Sequence, residues 1–249
     1  MLDIIAFDAD DTLWHTESLY AEVQEKFAQL LAPYADSEKA MAVLNAAEVR
    51  NIPYFGYGIK SFTLSMIEAA IELSAGQIAG SQLKEVLGLS KMMVTAPVQL
   101  LDHAEATVAQ LAQTHTLMLI TKGDLLDQES KIERSGLARY FKYIEVVSDK
   151  TTASYGAVLS KYQVSPERFL MVGNSLRSDI LPVVALGGAA VYIPYHITWT
   201  HEVVAPSPAE QGSYYELDHL GLLPAWVEAW TAKRRQSQAE PQSPAAPAI

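Results

Sequence analysis

Four short apolar runs limit this chain to a small set of folds. They span residues 3–7, 116–120, 169–172 and 189–193, and a weaker fifth run spans residues 143–147. Each run has the length of a strand that is buried on both faces, and helical patterns separate most of them. Strands that alternate with helices predict an α/β fold with a doubly wound, Rossmann-like parallel sheet and right-handed crossovers.

The interval between the first two runs is far longer than a crossover requires. About a hundred residues separate them, and apolar side chains recur there at helical spacing. We therefore expect an inserted helical cap over residues 16–95, above a core formed by residues 1–15 and 96–231. Such a cap would cover the carboxyl ends of the strands, where ligands bind in sheets of this kind. The residues that form the four helical stripes are Leu19, Val23, Phe27 and Leu30; Met41, Leu44 and Val49; Phe62, Met66, Ala70 and Leu73; and Leu83, Val86 and Leu87.

Composition excludes several classes of protein. The 249 residues carry 29 acids and 18 bases without a clustered basic stripe, so we expect no nucleic-acid binding. There is no cysteine, which excludes disulfides and thiol nucleophiles. No apolar run is long enough for a membrane span and no signal sequence is recognised, so we expect a cytoplasmic protein, a monomer or a homodimer. Residues 232–249 are polar and rich in proline, and we expect a disordered tail.

The first apolar run ends at three acids, in the sequence DADDT. Asp8 and Asp10 are two residues apart, so a continued strand would direct both side chains to the same face. Two such carboxylates could hold Mg²⁺, or one could attack an electrophile while the other moves protons. We assign no chemistry to Asp11, which we expect to point away or to accept backbone hydrogen bonds.

Two further runs end at side chains that could bind an anion. Thr121 and Lys122 follow the second run, and a hydroxyl with turn N–H groups suits a phosphate. Lys150 follows the weak run, where its charge could hold a phosphate and balance the acids. The alternative for Lys150 is an incidental lysine beside a helix cap.

A fourth candidate segment, GNSLRSD, follows the run at residues 169–172. Gly173 would let the backbone turn sharply, and Asn174 and Asp179 offer oxygen atoms at the same edge of the sheet. The alternative is that Ser175 caps a helix and Asp179 is a favourable charge in its first turn.

Taken in order, the DxDxT motif, the strand-ending threonine, the lysine and the GNSxxxD motif resemble the haloacid dehalogenase superfamily, in the branch with a helical cap inserted after the first strand. The resemblance covers about residues 1–200. It implies that Asp8 is the nucleophile that forms an aspartyl-phosphate and that Asp10 is the general acid and base. It also implies that the Asp8 carboxylate and the Asp10 backbone carbonyl bind Mg²⁺, and that Thr121 and Lys150 hold the transferred phosphoryl group.

The expected activity is a magnesium-dependent phosphatase that acts on a small phosphorylated metabolite. Most members of the superfamily have Gly-Asp where this chain has Asn174, so one unit of charge is missing from the metal site and Asp179 could compensate through a water. The alternatives are a phosphomutase, a dehalogenase or a non-catalytic phosphate-binding member. Dehalogenases lack an acid at the position of Asp10 and need no metal, which favours the phosphatase.

The predicted cap contains an unusual segment with aromatic rings beside cations. Arg50, Tyr57 and Lys60 are the residues that we expect to bind the substrate, because rings with polar tips beside cations suit a phosphorylated sugar or nucleotide. The alternative is a loop that closes the core of the cap. The segment 192–202 contains His196, Trp199 and His201, which we interpret as a structured loop at the rim of the site.

Overall fold

The computed structural model describes residues 2–205, 207 and 210–239, with side chains as far as residue 236. Its centre is a parallel sheet, as the sequence predicted, with the strand order β3-β2-β1-β4-β5-β6. The sixth strand was not predicted, because its two exposed residues form no apolar run. The strands are β1 (Ile4–Phe7), β2 (Thr116–Lys122), β3 (Tyr143–Val147), β4 (Phe169–Gly173), β5 (Ala189–Tyr192) and β6 (Tyr215–Glu216).

Helices cover both faces of the sheet, because alternate residues of each strand point to opposite sides. Phe7 packs in a core with Val108 and Val227, while its neighbour Ala6 packs in a second core with Val158 and Val183. The helices are α1 (Glu17–Leu31), α2 (Ser37–Phe55), α3 (Ile59–Leu73), α4 (Gly80–Thr95), α5 (Ala104–Leu111), α6 (Leu125–Arg134), α7 (Thr152–Tyr162), α8 (Leu181–Ala185) and α9 (Leu223–Ala239).

Helices α1–α4, which we call the helical unit, have a core of their own. Phe27, Leu44, Met66 and their neighbours are buried together, separately from the cores of the sheet. Two linkers join the helical unit to the sheet, and they lie side by side: the N–H of His15 donates to the carbonyl of Gln99 at 2.9 Å. The helical unit is therefore attached to the sheet through one narrow region.

Two apolar residues of the predicted stripes lie on the surface. Val49 and Leu87 are 51% and 45% exposed, so their assignment to the core of the helical unit was wrong. Each lies at the margin of its stripe, where helical spacing no longer separates the buried face from the exposed face.

Part of the predicted disordered tail is helical. Helix α9 continues to Ala239, so the prediction of disorder was wrong for residues 232–239. Arg234 explains part of the difference, because its guanidinium lies 4.6 Å from the Trp230 ring and donates to the carbonyl of Glu167 at 3.2 Å. The rest of that prediction, residues 240–249, lies outside the described residues. None of the helices described is both long enough and apolar enough to cross a lipid bilayer.

Candidate active site

The carboxyl ends of β1, β2 and β4 meet at a cleft between the sheet and the helical unit. The crossovers reverse direction between β1 and β4, and a doubly wound sheet binds ligands at that point. The cleft has about 1050 Å³ of empty space, part of it open to solvent. Its sheet side includes Asp8, Asp10, Thr121, Lys122, Lys150, Asn174 and Asp179, and its other side includes Glu17, Tyr20, Glu48, Tyr57 and Phe62.

Asp8 follows β1 and lies against a buried lysine. The Lys150 ammonium donates to Asp8 Oδ1 and, at 2.7 Å, to Asp179 Oδ1, while the Thr12 hydroxyl donates to Asp8 Oδ2 at 3.0 Å. Burial raises the pKa of Asp8 to about 7 in spite of the lysine. Burial alone would lower the pKa of Lys150, but Asp179 and Asp8 hold it well above its ordinary value. The site therefore keeps one fixed positive charge next to the carboxylate.

Three oxygen donors for a cation converge on the other side of Asp8. One terminal atom of the Asn174 amide lies 3.2 Å from both Asp8 Oδ2 and the backbone oxygen of Asp10. If the amide oxygen occupies that position, it faces two other oxygen acceptors, Asp8 Oδ2 and the Asp10 carbonyl. Adjacent ligands of an octahedral Mg²⁺ also lie about 3 Å apart. With the amide reversed, its nitrogen donates to both oxygens. These donors fit magnesium, although no three His, Asp or Glu side chains form a metal cluster among the residues that the structure describes.

The Asp10 side chain points away from these donors into a ring of hydrogen-bond partners. Lys131 lies 2.7 and 2.9 Å from its two oxygens, and Gln128, Trp14 and Thr16 donate to it at 2.7–2.8 Å. Burial would raise the pKa of Asp10, but the Lys131 ammonium and these hydrogen bonds lower it to about 2. Asp10 is therefore a carboxylate here, the form that accepts a proton.

The Asp11 carboxylate accepts backbone hydrogen bonds at the start of α1. It accepts the N–H of Thr16 at 2.8 Å and the N–H of Glu17 at 3.1 Å, where α1 begins. This is one of the two positions that the sequence left open for Asp11. Burial raises its pKa to about 7 although these N–H groups favour the charged form.

The structure shows contacts of Asp179 and Gly173 that the sequence did not predict. The two oxygens of Asp179 contact the Lys150 ammonium and the backbone N–H of Ser175, at 2.7 and 3.0 Å. Asp179 thus holds Lys150 in place, and its part in metal binding stays a prediction. A Cβ at Gly173 would overlap the Asp179 carboxylate. The glycine is therefore explained by close packing, whereas we had expected it to permit a sharp turn.

Thr121 and Lys122 both line the cleft, but of these two only the Lys122 side chain has hydrogen-bond and ion-pair partners among the described residues. The Lys122 ammonium forms an ion pair with Glu202, donates to Ser178 at 2.9 Å and lies 4.4 Å from the centre of the Tyr57 ring. Tyr57 is therefore at the cleft, as predicted, and it also contacts Trp199 edge to face at 6.0 Å. Glu202 follows the loop after β5, and no pattern in the sequence marked it.

Two residues predicted to bind substrate lie outside the cleft. Arg50 is exposed and donates to Glu68 at 2.9 Å and to Glu72 at 3.1 Å, so its charge is engaged within the helical unit. Lys60 reaches across to Asp124, the N-cap residue of α6, at 3.0 Å. Neither residue lines the cleft, and we do not carry either into the proposed function.

Sequence reasoning also missed other residues of the cleft, among them Gln128, Lys131, Glu17 and Glu48. Gln128 and Lys131 are three residues apart on α6, which begins just beyond β2, so helical spacing after a strand end was an available signal. Glu17 and Glu48 lie on helices whose other acids are exposed, and nothing in the sequence distinguishes them.

Comparison with known proteins gives one family. The family model described as haloacid dehalogenase-like hydrolase matches residues 2–187. A solved haloacid dehalogenase-like family hydrolase from Xanthomonas campestris is 38% identical, with 95% of this chain and 94% of that chain covered and a TM-score of 0.84. Human N-acylneuraminate-9-phosphatase is 24% identical over 92% of this chain and 95% of its own length. A 2-haloacid dehalogenase from Pseudomonas syringae pv. tomato, 21% identical over 92% of this chain and all of its own, has the same fold with a TM-score of 0.61.

Proposed function

The chain belongs to the haloacid dehalogenase-like hydrolases, and we propose that it is a magnesium-dependent phosphatase that hydrolyses the phosphate ester of a small metabolite. One observation carries the proposal: Asp8 has a lysine on one side, and on the other side it has the backbone oxygen of Asp10 and the terminal amide of Asn174, which can turn its oxygen toward a cation. A phosphoryl group that is transferred to a carboxylate needs positive charge on both sides, because its own oxygens carry the negative charge. The distant phosphatase relative supports the same class of reaction.

The reaction begins with the attack of an Asp8 oxygen on phosphorus. The bond to the leaving oxygen breaks and an aspartyl-phosphate forms, while the Lys150 ammonium and the Thr121 hydroxyl bind phosphoryl oxygens. Magnesium, when bound by Asp8, the Asp10 carbonyl and Asn174, would supply further positive charge to the phosphoryl group. The contact of Lys150 with Asp179 keeps the ammonium directed at the site throughout.

Asp10 moves the protons in this proposal. As a carboxylate it takes a proton from the water that attacks phosphorus and releases Asp8 with inorganic phosphate. It must first have delivered a proton to the leaving oxygen, and Lys131 opposes its protonation in the arrangement described. We therefore expect Asp10 to exchange part of its ring of donors when a substrate enters.

Release of inorganic phosphate from p-nitrophenyl phosphate tests the proposal. We expect turnover with Mg²⁺, none with EDTA, and a loss of at least about a thousandfold in Asp8→Asn. The matched control is Asp218→Asn, which removes the same charge from an exposed residue and should leave turnover unchanged. Halide release from 2-chloropropionate without metal would instead make the protein a dehalogenase, and phosphate binding without turnover would make it a non-catalytic member.

A further inference from the structure

Two carboxyl groups on the helical side of the cleft have no partner. Glu48, on α2, is 7% exposed, and its Oε2 makes no hydrogen bond within the part of the chain that the structure describes. Glu17, the first residue of α1, uses its backbone N–H to bind Asp11, but its carboxyl group forms no hydrogen bond or ion pair with any described residue. Both carboxyl groups line the cleft. An unpartnered buried carboxyl group costs free energy unless a ligand supplies the partner.

The lysines of the cleft do not neutralise Glu48 or Glu17. Its lining has eight carboxyl groups but three lysines, and each lysine is already paired: Lys122 with Glu202, Lys131 with Asp10 and Lys150 with Asp8. Burial raises the pKa of Glu48 to about 7, and burial with the nearby charges of Asp11 and Asp10 raises that of Glu17 to about 8. A group that brings positive charge to this wall would relieve both acids.

Aromatic rings stand beside the two acids. Tyr20 and Phe62 line the same wall, and their ring centres are 5.0 Å apart. The face of an aromatic ring attracts a cation, and a carboxylate neutralises its charge, so rings beside carboxylates suit an ammonium group. A second phosphate or a carboxylate on the substrate would be repelled from this wall.

We propose that the substrate is a phosphate ester whose leaving group carries a protonated amine, bound by Glu48 and Glu17 beside Tyr20 and Phe62. This inference rests on the proposed function, because it describes the other end of the ester whose phosphoryl group meets Asp8. Glu48 and Glu17 are then specificity-determining residues, and the helical unit selects the substrate through them. The sheet side, with Lys150 and Thr121, binds the phosphoryl group common to all substrates.

Two matched series of substrates test the inference. ω-Aminoalkyl phosphates and ω-hydroxyalkyl phosphates, from ethyl to hexyl, differ only in the charge of the terminal group, and the chain length measures the distance between the two ends of the site. At the best length we expect kcat/KM to favour the amine by about tenfold or more. In Glu48→Gln this ratio should fall by about tenfold, and Glu17→Gln should lower it to a smaller extent. Glu85→Gln, which removes an exposed charge of α4, should leave the ratio unchanged.

Binding to Asp8→Asn separates this inference from the proposed function. Calorimetry of the two series with Asp8→Asn measures the preference for the amine without turnover, and Asp8→Asn with Glu48→Gln measures its loss. An amine preference in binding that disappears with Glu48→Gln supports the inference even if p-nitrophenyl phosphate is not hydrolysed. Equal binding of the two series at every length, or a preference that Glu48→Gln leaves intact, overturns it. Tighter binding of the hydroxyl series also overturns it and makes the two acids hydrogen-bond partners of a polyol.

Discussion

At the scale of single residues, the Asp8 carboxylate lies between the buried Lys150 ammonium and two neutral groups, the Asp10 carbonyl and the Asn174 amide. Lys150 supplies a fixed charge on one side. On the other side Asn174 offers an amide where a carboxylate would add a negative charge. If magnesium binds as proposed, Asp8 is the one charged ligand among the Asp8 carboxylate, the Asp10 carbonyl and the Asn174 amide.

Asn174→Asp tests the donor set directly. The added carboxylate should tighten magnesium binding by about tenfold, because it attracts the cation in a site of low polarity. Without magnesium the same carboxylate repels Asp8, so the variant should unfold at a lower temperature than the unsubstituted protein. Thermal unfolding across a magnesium titration measures both effects. An unfolding temperature that responds equally to magnesium in the two proteins would show that Asn174 is not a metal ligand.

Lys131 holds Asp10 through both carboxylate oxygens, so its removal should disturb proton transfer. We expect Lys131→Gln to lower kcat by about ten- to a hundredfold with little change in KM, because the Lys131 ammonium is engaged by Asp10 and Asp127. Lys131→Arg should restore part of kcat, because it keeps the charge. A rise in KM at constant kcat would instead place Lys131 in substrate binding.

Glu48→Gln should change the pH dependence of stability. Burial raises the pKa of Glu48 from 4.5 to about 7, so between these values the folded protein keeps a proton that the unfolded chain has lost. The contribution of Glu48 to stability is therefore fully present below about pH 4.5 and is lost as the pH rises to about 7. The variant lacks this loss, so it should gain on the order of 1–2 kcal/mol relative to the unsubstituted protein between pH 5 and pH 8. Urea unfolding at pH 5 and at pH 8 measures the free energy of unfolding of both proteins. If this free energy changes equally with pH in the two proteins, the prediction is contradicted.

The residues of the site differ in how far the sequence could predict them. Asp8, Asp10 and Asn174 could be predicted, because each follows an apolar run that can only be a buried strand. Glu48 and Glu17 could not, because a helix displays acids on its exposed face and the pattern does not say which acid faces a cleft. Arg50 was predicted wrongly for the same reason, since two glutamates of α3 pair with it on the outside.

At the scale of elements, the helical unit meets the sheet where α3 begins beside the start of α6. Gly58 precedes α3 with φ +106°, and a Cβ there would lie 2.9 Å from the backbone nitrogen of Asp124. Lys60 forms its ion pair with the same Asp124. We expect this contact to set the distance between the helical wall of the cleft and the strand ends.

Gly58→Ala should therefore open the cleft. The new methyl group collides with the N-cap of α6 and the backbone conformation opposes any L side chain, so we expect KM to rise several-fold with a loss of about 1 kcal/mol in stability. Gly88→Ala is the matched control, because a Cβ there meets nothing within 4 Å inside α4. Steady-state kinetics and urea unfolding measure the two effects. Unchanged kinetics in Gly58→Ala would show that the contact does not set the width of the cleft.

The period and length of the apolar patterns predict the strands and helices, with two exceptions. Runs of four or five apolar residues gave the strands β1 to β5, and helical stripes gave α1 to α4. The short strand β6 and the continuation of α9 depend on tertiary contacts, such as those of Arg234 with Trp230 and the Glu167 carbonyl. Polar sequence alone does not predict them.

At the scale of the whole molecule, the sheet and the helical unit have different parts in the proposed reaction. In the proposed reaction the sheet supplies the groups that bind the phosphoryl group, and the helical unit adds the wall that faces the leaving group; both line the cleft. The two side-by-side linkers, at His15 and Gln99, connect them. This division explains why the sequence predicted the residues of the proposed phosphoryl site more fully than those of the proposed leaving-group wall: the former lie on strand ends, whereas the latter depend on how four helices pack.

The most direct test of the account is to trap the phosphorylated enzyme. Acid quenching during turnover of p-nitrophenyl phosphate, followed by peptide mass spectrometry, should find one phosphoryl group on the peptide that contains Asp8. The label should appear with Mg²⁺, disappear with EDTA and be absent from Asp8→Asn. Phosphate release without a phosphorylated peptide, or a phosphoryl group on any residue other than Asp8, would contradict the assignment of Asp8 as the nucleophile.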